Sequence, residues 1–295
     1  MLKKIIYDQI YNKIPHNKKI NILKNKEDGA CYIFGDGKSI KYYNLQSFSN
    51  LPSISLGNLS IHKQSKYLNL KYSLICESFV FTKGKCLTDY LKRFIRQVRE
   101  KNISSGLKLI YPLEKLYQAS QFSPKKILFE NNEIILNSNL IAHCSNYYST
   151  RFLDNSYYFD YNFKSNNNID TYLENHKINS FLSSLRFSIY FSIFLGFKKI
   201  YLVGCDYNDI EPKSGHWYEA DKILPYSGKQ DKNYIELMRK FVDIKIITFN
   251  KSDGTNYISY KDFSGNDLEY KENIEIVEKE KLELLKLYDY KIDLK

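Results

Sequence analysis

The sequence predicts an α/β protein with one Rossmann-like, mostly parallel sheet and flanking helices, and with a small lid or a C-terminal helical appendage. Its 295 residues, 43% hydrophobic and 26% charged, suit one large domain with an ordinary core. Several short apolar runs end in glycine or a small polar residue, as central strands of parallel sheets do. A nearly apolar stretch, 179–195, stops at Gly196 and precedes the apolar run 200–203, a pattern typical of a βαβ unit.

The first strand is predicted at 29–34, directly before the sequence Gly-Asp-Gly-Lys-Ser-Ile at 35–40. Glycine lets the backbone approach an anion, and amide N–H groups can point at it, so this arrangement favours phosphate binding. The segment lacks the third glycine of the dinucleotide fingerprint and the spacing of a Walker loop. A tight turn after an edge strand is the alternative interpretation.

Further elements follow in order along the chain. Strands are predicted at 52–58, 72–78, 108–111, 127–129, 134–137, 141–145 and 244–249, helices at 231–241 and from Asn273 onward, and polar loops at 163–170 and 250–255. Strands that all end in small or polar residues indicate a nucleotide crevice, because the carboxyl ends of parallel strands converge. We expect one Rossmann-like domain at 1–262, with a lid within 146–180 and 207–232, and a helical tail at 263–295.

Two stretches near the middle of the chain carry the candidate chemistry. Ser183 and Ser184 lie at the start of the apolar helix, where unpaired N–H groups favour a phosphate or carboxylate. The alternative is that the two serines bind no anion and only, as small residues, let the helix pack closely. The strand at 200–203 leads into a polar loop at the expected ligand-binding edge of the sheet. Its candidate residues are Gly204, Asp206, Asn208, His216, Trp217, Tyr218 and Asp221.

The charge of the chain indicates which partners it can attract, and its cysteine content indicates the compartment in which it works. With 44 Lys and Arg against 33 Asp and Glu, the net charge of +11 favours an anionic neighbour. The basic stretch 83–101 is either a plain surface helix or one that lies on an acidic membrane surface. No known nucleic-acid module is visible. Five cysteines without a Cys-x-x-Cys pair, and no segment of signal or membrane-spanning length, indicate a cytoplasmic protein, soluble or peripheral at the inner face of the membrane.

The order of these segments resembles the bacterial lipooligosaccharide sialyltransferases and related flagellin nonulosonate transferases. That family opens with a strand, Gly-x-Gly-x-Ser and an aliphatic residue, as residues 35–40 do here. Its second strand ends in an Asn that touches the nucleotide sugar, and Asn58 occupies that place.

The match is densest around the apolar helix and the strand after it. The family has a Ser/Thr-Ser pair, here Ser183 and Ser184, then the pattern aliphatic-Gly-aromatic-Lys-x-Ile-Tyr-Leu-x-Gly-x-Asp, here 195–206. A Tyr three residues before an Asp matches Tyr218 and Asp221.

Three positions depart from the family pattern. Leu185 replaces a common Gly after the serine pair, and Asn208 replaces an aromatic residue after the strand-end Asp. The family's catalytic His falls in the segment 226–229, where this chain has Lys229. Either Lys229 stands in as the base, or His216 acts from the neighbouring loop, or the reaction differs.

The resemblance implies an inverting transferase that moves sialic acid or a related nonulosonic acid from a CMP-sugar to a glycan or glycolipid acceptor. No cofactor or metal is expected, since CMP leaves as a monophosphate and residues 206–209, Asp-Tyr-Asn-Asp, are one residue too wide for an Asp-x-Asp motif. A homo-oligomer is compatible with the sequence. The expected nucleotide contacts are Gly35, Asp36, Gly37, Ser39 and Gly204, and the expected donor-positioning residues are Asn58, Ser183 and Ser184.

The expected catalytic residues have distinct roles. Tyr218 can donate a hydrogen bond to the leaving phosphate, and His216 is a suitable base because imidazole is largely neutral at working pH. Lys229 would need a pKa lowered by burial to act as the base. Asp206 either takes part in catalysis or orients the loop. A pterin-pyrophosphokinase-like enzyme and a non-catalytic nucleotide-sugar-fold protein are the rival interpretations.

Overall fold

The structure, a computed structural model, describes part of the chain. The described residues are 23–48, 50–59, 62–74, 107–112, 127–130, 133–136, 156–159, 168–169, 171–172, 183–206, 216–218 and 229–277. Contacts divide the chain into two units: a smaller one formed by 1–22 and 75–163, and a larger one formed by 23–74 and 164–295.

The elements are numbered in chain order. The strands are β1 (Ala30–Phe34), β2 (Ser53–Leu56), β3 (Leu70–Leu74), β4 (Lys108–Pro112), β5 (Ile127–Glu130), β6 (Glu133–Leu136), β7 (Ser156–Phe159), β8 (Lys199–Val203), β9 (Asp243–Thr248) and β10 (Tyr257–Ser259). The helices are α1 (Ser184–Leu195), α2 (Lys229–Met238), α3 (Tyr260–Ser264) and α4 (Asn273–Ile276). Short 3-10 helices cover Lys38–Lys41, Leu45–Ser47 and Lys63–Tyr67.

The larger unit is built on a parallel sheet with the strand order β10-β9-β8-β1-β2-β3. Each neighbouring pair in this series is parallel. The order is that of a doubly wound Rossmann sheet, in which the chain builds outward from β1 first on one side and then on the other. The predicted α/β class with a mostly parallel sheet is therefore confirmed.

The smaller unit contains two strand pairs among its described residues. Strands β4 and β7 pair in parallel, and β5 and β6 form an antiparallel pair. Three predicted strands, at 108–111, 127–129 and 134–137, are confirmed by β4, β5 and β6. The predicted strand at 141–145 and the basic stretch 83–101 lie outside the described residues. Strands β7 and β10 have no counterpart among the predictions.

Helix α1 begins and ends at residues with suitable chemistry. The Ser183 hydroxyl caps it by accepting a hydrogen bond from the Arg186 backbone N–H at 3.2 Å. Gly196 ends it in the left-handed conformation with φ of 109°, as the glycine at the predicted helix end suggests. The helix starts at Ser184, so its predicted N-terminal boundary at 179 is too early by five positions.

The two faces of the sheet carry different side chains. Helix α1 packs against β1 and β2, and the rings of Tyr72 and Phe191 meet edge to face with centroids 5.5 Å apart. On the other face, alternate residues of β1 point into an aromatic cluster. Its members are Tyr32, Phe34, Phe48, Tyr201 and Phe263. Burial on both faces accounts for the continuous apolar runs of the central strands.

Several predicted segments are only partly described. The segment 163–170 is predicted as a loop or as one end of a lid. Asn168 and Ile169 are helical and Ile169 is buried, so the loop interpretation is wrong for these two residues, and the lid stays a prediction. The predicted helical tail is described only as far as Val277. Within the described residues, no helix is long and apolar enough to cross a membrane.

Candidate functional site

The candidate residues converge where the order of the strands reverses. After β1 the chain adds β2 and β3 on one side, and β8, β9 and β10 lie on the other. In open α/β sheets ligands bind beyond the carboxyl ends of the strands at this reversal. The segment 35–39 follows β1, and the segment 204–206 follows β8, so both lie at the expected place.

The turn after β1 continues the hydrogen bonding between β1 and β8 beyond the strands themselves. The Gly35 N–H donates to the Val203 carbonyl, and the Gly37 N–H donates to the Gly204 carbonyl, both at 2.7 Å. These two amides are predicted to approach a phosphate, and here they hold the turn against β8. The turn is therefore held in place by backbone hydrogen bonds to the end of β8.

Ser39 and Asp206 join the same two chain segments through their polar groups. The Asp206 carboxylate accepts from the Ser39 N–H at 2.7 Å and from the Ser39 hydroxyl at 2.6 Å. Burial raises the pKa of Asp206 to about 7, although both hydrogen bonds from Ser39 lower it. This contact accords with an orienting role for Asp206, one of the two roles the sequence leaves open.

Asp36 connects three segments of the site. One of its carboxylate oxygens accepts from the Asn58 N–H at 2.7 Å, and the other accepts from the Trp217 indole N–H at 3.0 Å. The Asp36 carbonyl also accepts from the Trp217 N–H at 2.9 Å. Asp36 thereby ties the end of β2 and the segment 216–218 to the turn after β1.

The segment 216–218 lies directly beside this turn. His216 forms an isolated antiparallel bridge with Gly37. The His216 and Tyr218 rings stack with centroids 5.1 Å apart and an interplanar angle of 12°. The two predicted catalytic side chains are therefore neighbours, and His216 is partly exposed whereas Tyr218 is buried.

Trp217 lies between these two residues in the chain and is fully buried. Its ring meets those of His62 and Tyr218 edge to face, with centroids 5.4 Å and 5.3 Å away. The sequence leaves open whether Trp217 stacks on a sugar or packs into the core. The structure shows that it packs into the core.

Glycine is required at two positions of the site because of close approach. A Cβ atom on Gly57, whose φ is +54°, would lie 1.8 Å from an Asp36 carboxylate oxygen. A Cβ atom on Gly37 would lie 2.4 Å from an Asp206 carboxylate oxygen. Both distances are far below a van der Waals contact, so the glycines let the two carboxylates sit against the strand-end backbone.

The N-terminus of α1 is occupied by a carboxylate from the chain itself. Asp231 of α2 accepts from the Arg186 side chain at 2.7 Å and from the Ser183 hydroxyl at 3.2 Å. Both side chains of the ion pair are less than 10% exposed. The Ser183 hydroxyl therefore contacts a carboxylate of the chain itself. The role of Ser183 and Ser184 toward a donor substrate stays a prediction.

His216 and Lys229 are both still candidates for the catalytic base. Lys229 is the first residue of α2, and Asn208, Asp221 and the segment 226–228 lie outside the described residues. Within the described ranges, no group of three His, Cys, Asp or Glu side chains is arranged to hold a metal ion.

Sequence reasoning missed two contacts of the site. The sequence does contain a sign of the Arg186–Asp231 pair. Arg186 is the one charged residue of the apolar helix α1, and a buried charge requires a partner. The Asp36–Trp217 contact joins residues 181 positions apart, and no local pattern indicates it.

The fold and the site together define a doubly wound α/β protein with a polar site at the carboxyl ends of its central strands. No protein-family model matches the chain, and no curated protein matches it.

Similar solved structures exist. One is the sialyltransferase CstII from Campylobacter jejuni in complex with the substrate analogue CMP-3FNeuAc, with 17% identity, coverage of 83% of this chain and 91% of that chain, and a TM-score of 0.45. Another is the monofunctional α-2,3-sialyltransferase Cst-I from Campylobacter jejuni, with 16% identity, coverage of 83% and 85%, and a TM-score of 0.46. An α-2,3-sialyltransferase from Campylobacter jejuni in apo form has 16% identity, coverage of 90% and 94%, and a TM-score of 0.43.

All three are sialyltransferases, the class of enzyme that the sequence resembles.

Proposed function

We propose that this chain is an inverting, metal-independent glycosyltransferase that moves sialic acid or a related nonulosonic acid from a CMP-sugar to a glycan acceptor. One observation carries the proposal: the predicted nucleotide turn, Asn58 and the pair His216 and Tyr218 all meet at the strand-order reversal. The resemblance of the sequence to CMP-nonulosonate transferases supplies the substrate class.

The donor sits at the carboxyl ends of β1, β2 and β8 in this proposal. The cytidine and its phosphate lie along the turn 35–39, where the local backbone is shaped by the bonds to β8. Gly204 and Asn58 flank this seat at the ends of the neighbouring strands. Ser183 and Ser184 contribute from the start of α1.

The reaction forms a bond between the acceptor oxygen and the anomeric carbon of the donor, and the bond from that carbon to the phosphate oxygen breaks. The acceptor hydroxyl gives its proton to the His216 imidazole, and CMP leaves with the electron pair of the broken bond. Tyr218 stabilises the charge on the leaving phosphate through a phenol hydrogen bond. Because CMP leaves as a monophosphate, protein donors are sufficient and no cofactor or divalent ion takes part.

The remaining proposals concern the surroundings of the reaction. The net charge of +11 attracts the anionic donor and also an acidic membrane surface. We place the enzyme in the cytoplasm, in peripheral contact with the inner face of the membrane, where a glycolipid acceptor for lipopolysaccharide, lipooligosaccharide or capsule would be available. A homo-oligomer is compatible with this placement.

The test measures CMP release from CMP-sialic acid in the presence of EDTA, with and without a galactose-terminated acceptor. We expect acceptor-dependent CMP release and a product whose anomeric configuration is opposite to that of the donor, which NMR determines. UDP-galactose serves as the control donor and should give no turnover. Lack of turnover with every CMP-nonulosonate, together with no binding of CMP or CDP, would refute the proposal.

A further inference from the structure

Asp36 stands between two glycines in the predicted nucleotide turn, yet its contacts are with the protein. We infer that Asp36 is a positioning residue that holds His216 and Tyr218 against the turn through Trp217. The inference rests on the proposed function, because it assigns a role within that reaction.

Both carboxylate oxygens of Asp36 accept hydrogen bonds from the chain. The Asn58 N–H donates to one at 2.7 Å, and the Trp217 indole N–H donates to the other at 3.0 Å. The residue is only 8% exposed. A buried carboxylate whose two oxygens are engaged in this way is poorly suited to contact a phosphate, since like charges repel.

The arrangement requires a carboxylate rather than an amide. Two N–H donors approach from different segments, and a carboxylate offers an acceptor oxygen to each. An asparagine offers one oxygen, and its NH2 group would face one of the two N–H donors. Hydrogen bonds to an ionised acceptor are also the stronger kind, so the carboxylate fixes both segments firmly.

The position of Trp217 determines the position of its two neighbours. Trp217 is anchored to Asp36 by its side chain and by its backbone N–H, and its ring is fully buried. His216 precedes it and bridges to Gly37, and Tyr218 follows it. Because the rings of His216 and Tyr218 stack on each other, a shift of Trp217 displaces both catalytic groups together.

The contact at Gly57 shows that the position of Asp36 is closely defined. A Cβ atom at Gly57 would lie 1.8 Å from the Asp36 oxygen that the Asn58 N–H binds. The carboxylate therefore packs directly on the backbone at the end of β2. It could turn toward a ligand only by giving up its hydrogen bond from the Asn58 N–H.

The test compares Asp36→Asn with Glu27→Gln in the full-length chain. Glu27 is a matched control because its carboxylate also accepts two hydrogen bonds, from Lys71 and Tyr72, but precedes β1 at the other end of the sheet. Trp217 is the only tryptophan, so its emission wavelength and its quenching by acrylamide report its burial directly.

For Asp36→Asn we expect kcat to fall about 100-fold, because displacement of a catalytic group from its reacting position has an effect of this size. The KM for CMP-sialic acid should change less than about threefold, because uniform donor binding is retained. Trp217 emission should move to longer wavelength and become more accessible to acrylamide. Glu27→Gln should leave kcat, KM and Trp217 emission at wild-type values.

A second variant, Trp217→Phe, removes the indole N–H while keeping an aromatic ring. If Asp36 acts through Trp217, the double variant Asp36→Asn/Trp217→Phe should have a kcat no lower than that of the worse single variant. Fully multiplicative losses in kcat overturn the inference. If Asp36→Asn fails to fold, the single variant Trp217→Phe tests the contact by itself: its kcat should fall while the KM for CMP-sialic acid changes little, and a wild-type kcat overturns the inference.

The outcomes separate the inference from the proposed function. A wild-type protein that transfers no nonulosonic acid and binds neither CMP nor CDP refutes the function, and the Trp217 emission of Asp36→Asn then decides whether Asp36 anchors the segment. An active wild type with an unchanged kcat in Asp36→Asn overturns the inference alone. A raised KM with unchanged kcat makes Asp36 a donor ligand, and this result also overturns it.

Discussion

Ser39 donates both its backbone N–H and its hydroxyl to the Asp206 carboxylate, at 2.7 Å and 2.6 Å. The contact ties the 3-10 helix after β1 to Asp206, which lies three residues beyond the end of β8. It spans the point where the strand order reverses, so it shapes the floor of the candidate site. The buried carboxyl has a pKa of about 7, well above its ordinary value of 3.8.

The raised pKa of Asp206 makes the stability of the protein depend on pH. Between about pH 4 and pH 7 the folded state binds a proton at Asp206 that the unfolded state has released. The free energy of unfolding of the wild type should therefore fall, relative to that of Asp206→Asn, as the pH rises through this range. Urea unfolding of both proteins at pH 4, 5.5 and 7 measures the difference.

Ser39→Ala provides the control for this prediction. It removes the hydroxyl that lowers the pKa of Asp206, so the pH range of the decline should extend upward. Equal pH dependence in the wild type and in Asp206→Asn would show that Asp206 keeps an ordinary pKa in the folded protein.

Local sequence patterns predict the parallel strands and the helix that precede the site. They do not predict the contacts between site residues that lie far apart in the chain. The glycines after β1, β2 and β8 correctly mark strand ends, because a side chain at Gly37 or Gly57 would collide with a neighbouring carboxylate. Asp36 has the sequence position of a nucleotide ligand, yet its partners Asn58 and Trp217 come from distant segments. Pairings of this kind depend on the strand order, which the sequence pattern does not specify.

Gly57→Ala should destabilise the protein more than Gly254→Ala does. Both glycines have positive φ, +54° and +74°, so an alanine at either position costs about 1–2 kcal/mol in backbone strain. Only Gly57 has a neighbour in the way, since its Cβ would overlap Asp36, and overpacking adds about 1–3 kcal/mol. Chemical denaturation of the two variants gives the comparison. Equal losses would show that Asp36 moves aside readily.

Arg186 and Asp231 form a buried ion pair whose separation should be costly. Replacing one partner, as in Arg186→Met, leaves the other charge buried and should lower the free energy of unfolding by about 3–5 kcal/mol. The double variant Arg186→Met/Asp231→Leu removes both charges and should be less destabilised than either single variant. Urea unfolding of the three proteins tests this, and additive losses would show that the two charges do not depend on each other.

His216 and Lys229 are the two candidates for the base, and kinetics can separate them. If His216 takes the proton, His216→Ala should lower kcat by about 100-fold to 10,000-fold, the usual contribution of a general base. Affinity for CMP should stay near the wild-type value, because the base contacts the acceptor hydroxyl and not the nucleotide. The change in Trp217 emission on titration with CMP measures that affinity in each variant.

The pH profile provides an independent measure of the base. With His216 as the base, kcat/KM of the wild type should rise tenfold per pH unit at low pH and level off once the imidazole is neutral. Lys229→Ala, the matched control, should keep this acid limb and most of the activity. An acid limb that disappears in Lys229→Ala, with full activity in His216→Ala, would assign the base to Lys229.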